Sequence, residues 1–346
     1  MSPDLDLLVV GGGPVGLVTA LEAAKAGLAV AVAEPRTSPV DKACGEGLMP
    51  TALHQLQALG VEPAGHPFHG ITYVAGGRRV SADFPGGPGR GVRRLVLHEA
   101  LSKAVADAGV LVLPAAARLG AVRPTHVEVQ VGDEQLHTGY VAAADGLHST
   151  IRSDLALGLP PRGRARYGLR RHWTVAPWSR NVEVYWSNEA ELYVTPVDEH
   201  TVGVAILTST KGRSFDDWLA DFPEVAQRLR GRTPASDVRG AGPLEQRTRR
   251  RTAGRVLLVG DAAGYVDAIT GEGMAVGFLS AAELVDAVLA DDPAAYERGW
   301  SRSTRASRLL TLGLLRASQV GPVRRALVPA AEALPGLFAR TVASLA

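Results

Sequence analysis

Gly11, Gly13 and Gly16 have the spacing G-x-G-x-x-G, and a carboxylate, Glu34, follows 18 residues after the last of them (34 − 16). Glycines so placed allow a sharp turn, leave the backbone open to a pyrophosphate and let the next helix pack on the preceding strand. Pro14 and Val15 fill the intervening positions, and a proline costs little in a first helical turn, where its missing N–H has no intrahelical acceptor. The free N–H groups and the positive end of that helix favour phosphate. Glu34 can accept from both hydroxyls of an adenosine ribose, and its charge opposes a 2′-phosphate. This chemistry is dinucleotide binding, of FAD or NAD rather than NADP.

A second group of reactive side chains follows. Arg36, Lys42, Ala43, Cys44, Gly45, Glu46 and Gly47 lie in one loop after Glu34. Arg36 or Lys42 is expected at the pyrophosphate, with Cys44 to Gly47 beside the reactive ring. Read blandly, the same loop is solvated and Cys44 is a small buried apolar group. Arg94 stands where a helix begins, against the dipole, so it needs an anionic or polar partner. Asp145 ends one apolar run and Asp261 another. The carboxyl ends of parallel strands are where open sheets bind ligands. Gly271 and Gly273, with Met274 after them, leave N–H groups free at a helix start, which favours negative charge on a bound ring. His172 could assist deprotonation of a phenol, although a lone histidine is more often a satisfied polar group.

The elements that must hold these groups are legible in outline. Leu5–Val10 is an apolar strand, residues 14–26 are helical with Gly27 as the cap, and 28–33 is a second strand. A helix over 51–59 follows Pro50. Residues 71–74 and 79–82 form a hairpin around Gly76-Gly77. Residues 83–91 form a Pro/Gly loop with no nucleotide spacing, and a helix runs over 95–108. Strands are expected at 110–113, 127–131, 135–138 and 140–144. Residues 168–175, 182–186, 191–195 and 201–207 form an antiparallel layer. In it Val182, Val184 and Trp186 face a core, while Glu183 and Tyr185 face water or ligand. A helix covers 214–230, the arginines 249–251 are solvated, and 256–259 is a buried strand. The tail has helical spacing over 296–318 and 323–334, with one apolar and one basic face.

Composition narrows the classes. The 346 residues are 46% hydrophobic and 21% charged with a net charge of +2, which describes a globular chain and gives no reason to expect nucleic acid as a partner. The single cysteine excludes an internal disulfide and a cysteine-based zinc site, and no metal is expected. Met1 leads straight into the first strand, which leaves no room for a signal peptide, and no uncharged run approaches the roughly 18 residues of a membrane span. A cytoplasmic setting is expected.

Taken together, Gly11-x-Gly13-x-x-Gly16 with Glu34, Asp145-Gly146-x-x-Ser149-x-x-Arg152, and Gly260-Asp261-Ala262-Ala263 resemble the FAD-dependent monooxygenases of the p-hydroxybenzoate hydroxylase fold. Geranylgeranyl reductases share the three signatures, and the likeness runs from about residue 5 to 290. It implies an α/β architecture: a Rossmann-type FAD-binding domain, an inserted antiparallel substrate sheet and a C-terminal helical tail. The corresponding segments are 1–70, 92–160 and 245–290 for FAD, 71–91 and 161–244 for substrate, and 291–346 for the tail. It also implies Glu34 at the adenosine ribose and Lys42 and Arg94 near the pyrophosphate or ribityl chain. Asp145 would contact FAD, Asp261 the ribityl chain or pyrophosphate, and 271–274 the pyrimidine edge.

The resemblance implies one of two reactions. The first is hydroxylation of a hydrophobic aromatic or polyketide-type molecule through a flavin C4a-hydroperoxide, with NADH or NADPH as a transient reductant. The second is reduction of C=C bonds in a prenyl or polyketide chain, with Cys44 and Glu46 as proton-donor candidates. The 42–45 and 270–273 stretches are nearer the reductases, and the halogenase motif W-x-W-x-I-P is absent. The segments 167–172 and 193–196 resemble oxidoreductases of aromatic polyketide tailoring, which ranks hydroxylation first. A non-catalytic flavoprotein that senses or carries a lipid is a third reading. His172, Trp173, Tyr185, Trp186 and Tyr193 are candidates to line the substrate pocket. The tail offers a surface for a membrane or for a second copy of the chain.

Overall fold

The computed structural model describes residues 3–345. Its main sheet runs, edge to edge, Thr252–Ala253, Val256–Leu258, Glu134–Ala143, Leu5–Val10, Val30–Ala33 and Leu111–Leu113. All neighbours are parallel except the first pair, and Leu7 pairs with both Val30 and Tyr140. Leu7, Leu8 and Val9 have no exposed surface, as expected of a parallel strand covered on both faces. Helix Pro14–Lys25 packs against Arg94–Asp107 and Gly273–Leu289.

The expected strands 135–138 and 140–144 are one strand, Glu134–Ala143. Its first half pairs antiparallel with Val127–Val131, and its second half pairs parallel with Leu5–Val10 and Val256–Leu258. The Pro/Gly loop at 83–91 also contains a strand. Gly89–Gly91 lies between Gly47–Leu48 and His66–Phe68. A Cβ on Gly91 would sit 1.7 Å from the Pro196 carbonyl oxygen, so this glycine serves close packing.

The second sheet has seven strands in the order Arg239–Ala241, Tyr167–Thr174, Thr201–Thr208, Ala190–Asp198, Val182–Trp186, Gly70–Ala75, Arg78–Asp83. Only the Val182–Trp186/Gly70–Ala75 pair is parallel. Both faces are covered, which corrects the expected wet face. Tyr185 and Leu192 pack with Phe215, Trp218 and Val225 on one side, and Val182, Val184 and Trp186 pack with Phe338 and Val342 of the tail on the other. The segment 214–230 is two helices, Phe215–Leu219 and Pro223–Leu229, because a proline favours a first turn over a helix interior.

The tail folds as helices Pro293–Gln319, Gly321–Ala333 and Pro335–Ala343, the last two beginning at Gly321-Pro322 and Pro335-Gly336, and the third lies beyond the expected helical segments. A buried ion cluster ties it down. Arg324 pairs with Glu191, which also pairs with Arg166, and Arg166 reaches Asp267. Arg251, expected to be solvated with its neighbours, is instead 3.7 Å from the Trp300 ring centroid and beside Glu297. Arg249 and Arg250 are exposed.

Candidate active site

The opening turn is crowded except where a ligand would lie. Gly11 has φ +108°, and a Cβ there would sit 2.5 Å from the Ala144 carbonyl oxygen. A Cβ on Gly16 would sit 1.9 Å from the Gly11 oxygen, so the first strand, its helix and the end of Glu134–Ala143 meet here. Gly13 caps the helix without a side-chain hydrogen bond, and a Cβ on it would meet only Arg94 Nη2, at 3.7 Å. That open side is a backbone cradle. His98, which the sequence reading missed, braces the turn from behind with Nε2 2.8 Å from the Gly12 oxygen; burial lowers its pKa.

Glu34 is buried below this turn. Its Oε2 accepts from Gly12 N at 2.8 Å and from Arg36 Nη2 at 2.6 Å, and its Oε1 accepts from Arg36 N and Nε at 2.9 and 2.7 Å. Burial would raise its pKa, but the hydrogen bonds from Arg36 and Gly12 outweigh that and hold it below the usual carboxylate range. Arg36 therefore lines the cavity while paired with Glu34.

A cavity of about 480 Å³ joins segments far apart in the chain. Its polar end is walled by Gly13, Pro14, Val15, Gly16, Arg36, Lys42, Ala43, Arg94, Asp145, Asp261, Gly271, Gly273 and Met274. Gly11, Glu34 and His172 stand behind this wall. Asp145 Oδ2 accepts from Ile151 N at 3.1 Å, while its Oδ1 is buried without a partner, as is Arg94 Nε. Burial lowers the Lys42 pKa, helped by the charges of Arg36 and Arg94. Burial raises that of Asp261, against the pull of Arg94, Lys42 and Arg152.

Arg152 explains why the middle motif matters. Ser149 accepts from Arg152 N at 2.9 Å and caps the short helix Thr150–Asp154. The Arg152 guanidinium then donates to the carbonyls of Leu147 and Ala262 at 2.8 and 3.1 Å, and to Gln246 Oε1 at 2.6 Å. It joins the Asp145 turn to the Asp261 turn. The spacing Asp145-x3-Ser149-x2-Arg152 was its signal, although the bracing role was not read from it.

The other end of the cavity is apolar. It runs between the second sheet and the tail, past Ile71, Val182, Val184, Tyr193, Leu314 and Leu345. Of the aromatic candidates, only Tyr193 lines it; its hydroxyl donates to the Ile269 oxygen at 2.9 Å. Trp173 and Tyr185 point to the opposite core, and Trp186 packs edge-on against Tyr73, 5.4 Å between centroids. Alternation sends odd and even strand positions to opposite faces, and the sequence could not tell which face met the ligand.

Cys44 and Glu46 sit where the polar and apolar ends meet. Burial raises the Cys44 pKa, so its thiol stays protonated. Glu46 has φ +61°, a backbone state costing roughly 1–3 kcal/mol for a residue with a side chain. Glu46 Oε1 accepts from the backbone N of Arg94 at 2.9 Å, and Oε2 is 2.5 Å from His172 Nε2. The strain is held in place by these bonds.

A strand, glycine turn and helix, a basic polar chamber and an adjoining apolar one define a dinucleotide-dependent redox protein. The groups present fit FAD: an open cradle at Gly13, unpartnered buried atoms on Asp145 and Arg94, and a helix start at Gly273. Residues 4–291 match the family described as FAD binding domain, and the chain belongs to that family; it is an FAD-dependent oxidoreductase. It is 28% identical over 355 residues to menaquinone reductase of Mycobacterium tuberculosis, covering 88% of this chain and 84% of that protein. It is 25% identical over 310 residues to digeranylgeranylglycerophospholipid reductase 1 of Methanothermobacter thermautotrophicus, covering 80% and 75%. Among solved structures, a flavin-dependent brominase shares the fold with a TM-score of 0.81 at 16% identity, over 98% of this chain and 93% of that one. No helix among the described residues is long and apolar enough to cross a membrane.

Proposed function

We propose that the protein reduces a carbon–carbon double bond in a hydrophobic, prenyl-type chain. The observation that carries this reading is the placement of Cys44 and Glu46, a thiol and a carboxyl group, on the wall of a cavity whose apolar part adjoins its polar part. The names of the two sequence relatives, both reductases, support it. The order given to the two reactions by the sequence is thereby reversed. Hydroxylation asked His172 to meet a phenol, yet His172 stands behind Glu46 and not on the cavity wall.

Gly13, Lys42, Arg94, Asp145 and Asp261 would hold FAD, with NADH or NADPH as the transient electron donor. Bound FAD supplies hydride transfer. The residues of the chain do the rest. Ile71, Val182, Val184 and Leu314 hold the chain by contact and exclude water, worth about 25 cal/mol per Å² of apolar surface covered. Tyr193 lines the chamber and is pinned by its bond to the Ile269 oxygen. Glu46 or Cys44 gives a proton to the carbon opposite the one that takes hydride.

Outside the cavity, Leu309, Val320, Val323, Leu334 and Leu337 of the tail are exposed. From Trp300 to the end the chain has seven arginines and one acid, Glu332. This surface suits an anionic membrane, from which a greasy substrate would be drawn.

The test is anaerobic incubation of the reduced holoprotein with a short polyprenol. A product heavier by two hydrogens and re-oxidation of the flavin are expected. Substrate-stimulated oxygen uptake with a hydroxylated product would instead establish the monooxygenase reading.

A further inference from the structure

Each reduction of a double bond consumes one proton at the cavity wall. A chamber filled by an apolar chain admits no water, so that proton must return through the protein. Of the two donor candidates, Cys44 has its sulfur on the Glu46 amide at 3.4 Å, a contact that leads no further. Glu46 has a hydrogen-bonded connection that leads outward. Its Oε2 is 2.5 Å from His172 Nε2, and His172 Nδ1 is 2.8 Å from Ser236 Oγ. Glu46 and His172 are 2% and 1% exposed, whereas Ser236 is only half-buried.

The surroundings preserve this line. His172 pairs across the sheet with Gly203, and a Cβ on Gly203 would lie 3.1 Å from Glu46 Oε2 and 3.6 Å from His172 Cδ2. A side chain there would press on the contact. On the same strand, Arg170 has Nη1 3.4 Å from His172 Nδ1 and Nε 3.8 Å from Glu46 Oε1. Its charge is engaged by Asp41 at 2.5 Å and by the Lys42 oxygen at 3.1 Å. From the loop side, Cys44 adjoins Glu46, and from the helix side the Arg94 amide donates to it. At the outer end, Ser236 Oγ accepts from His172 N at 3.2 Å, and the Asp237 carbonyl oxygen, also at 3.2 Å, is the alternative acceptor for its one hydroxyl proton when Nδ1 does not take it.

We propose that Ser236, His172 and Glu46 are a proton path from solvent to the reductive chamber. This rests on the reductase reading. Glu46 gives its carboxyl proton to the substrate carbon as the neighbouring carbon takes hydride. His172 passes its Nε2 proton to the Glu46 carboxylate, while Nδ1 takes the Ser236 hydroxyl proton and Ser236 takes one from water. One water-derived proton enters per turnover, and one tautomeric exchange of the ring resets the path. Glu46 is the catalytic residue of the set; His172 and Ser236 act through it.

The experiment uses the FAD-loaded protein and four variants: Ser236→Val, Ser236→Thr, His172→Gln and Glu46→Gln. The first readout is independent of turnover. It is the exchange of the His172 ring N–H with deuterated water, followed by ¹⁵N NMR. Ser236→Val should slow it about tenfold or more and Ser236→Thr should restore it, since the two differ only in the hydroxyl. The second readout is anaerobic re-oxidation of reduced flavin by polyprenol. His172→Gln should slow it about 10²-fold, the scale of a lost proton-transfer catalyst, with a raised solvent isotope effect and a shifted pH profile. FAD affinity should change by less than twofold. Ring exchange equal in Ser236→Val and wild type overturns the path whatever the reaction proves to be. Normal dependence of exchange on Ser236, with no polyprenol turnover by the wild type, keeps the path and overturns the reductase reading.

Discussion

Arg324 of the tail is ion-paired with Glu191 of the second sheet, and the two side chains are 6% and 0% exposed. The same guanidinium donates to the Ala190 and Ser318 carbonyls at 2.7 and 3.2 Å. The wall of the apolar chamber formed by the tail is therefore locked to the strands it faces. Glu191 also pairs with Arg166, so removing Arg324 leaves Glu191 and Asp267 sharing one arginine, and an uncompensated buried charge costs about 3–5 kcal/mol. Arg324→Met is expected to lower the urea midpoint accordingly and to expose residues 320–345 to limited proteolysis. An unchanged midpoint would remove the cluster from the stability of the fold.

Gly13 and Gly16 should separate cofactor binding from folding. A methyl group on Gly13 makes only an ordinary contact with Arg94, but it fills the cradle. Gly13→Ala is expected to keep the thermal midpoint of the apoprotein and to weaken FAD binding about tenfold, or about 1.4 kcal/mol. Gly16→Ala places a carbon 1.9 Å from the Gly11 oxygen and should destabilise the apoprotein itself. Calorimetry of the apoproteins and fluorescence titration with FAD check both.

Glu34 sets a pH dependence. Its pKa in the folded chain lies below the ordinary 4.5, so its bonds to Arg36 and Gly12 stabilise the protein above that value. The contribution is lost as pH falls through the lower folded value. The stability gap between wild type and Glu34→Gln should be constant from neutral pH down to the ordinary carboxylate range and should close below it. Chemical denaturation across that range measures it; a gap that widens in acid contradicts the assignment.

Cys44 is expected to react slowly. Burial raises its pKa above the ordinary thiol value of 9.0, and only the thiolate attacks. Alkylation by iodoacetamide should keep accelerating beyond that pH instead of levelling off. Saturating FAD should protect the thiol, because Cys44 lines the cavity at its junction. Rapid labelling at neutral pH with FAD bound would place the thiol elsewhere.

The exposed apolar residues of the tail should be felt at membranes. Leu334 and Leu337 are 56% and 61% exposed, and each buried leucine is worth about 1.5–3 kcal/mol. Leu334→Asp with Leu337→Asp should reduce sedimentation with anionic vesicles by at least about tenfold. The folded midpoint should stay within about 0.5 kcal/mol of wild type, the usual limit for surface changes. Equal binding to neutral vesicles would argue against the arginine contribution.

Local chemistry determined a large part of this protein from the chain alone. The glycine spacing, Glu34 and the strand–helix–strand pattern specify a dinucleotide turn, because each depends on residues within a few positions of one another. The Asp145–Arg152 and Gly260–Ala263 stretches are legible for the same reason. Tail breaks at Gly321-Pro322 and Pro335-Gly336 follow from φ restriction and a missing N–H.

Tertiary structure decided what depends on partners distant in sequence. Alternation showed that Val182 and Tyr185 face opposite ways, but only the packing of the tail on one face and of residues 215–229 on the other made the Val182 face the chamber. Likewise Glu46, His172 and Ser236 lie 126 and 64 residues apart along the chain, and nothing in their local sequence foretells contact. Side-chain pairing across a sheet is set by register. Register here comes from the burial of two whole faces at once, which no short window of sequence contains.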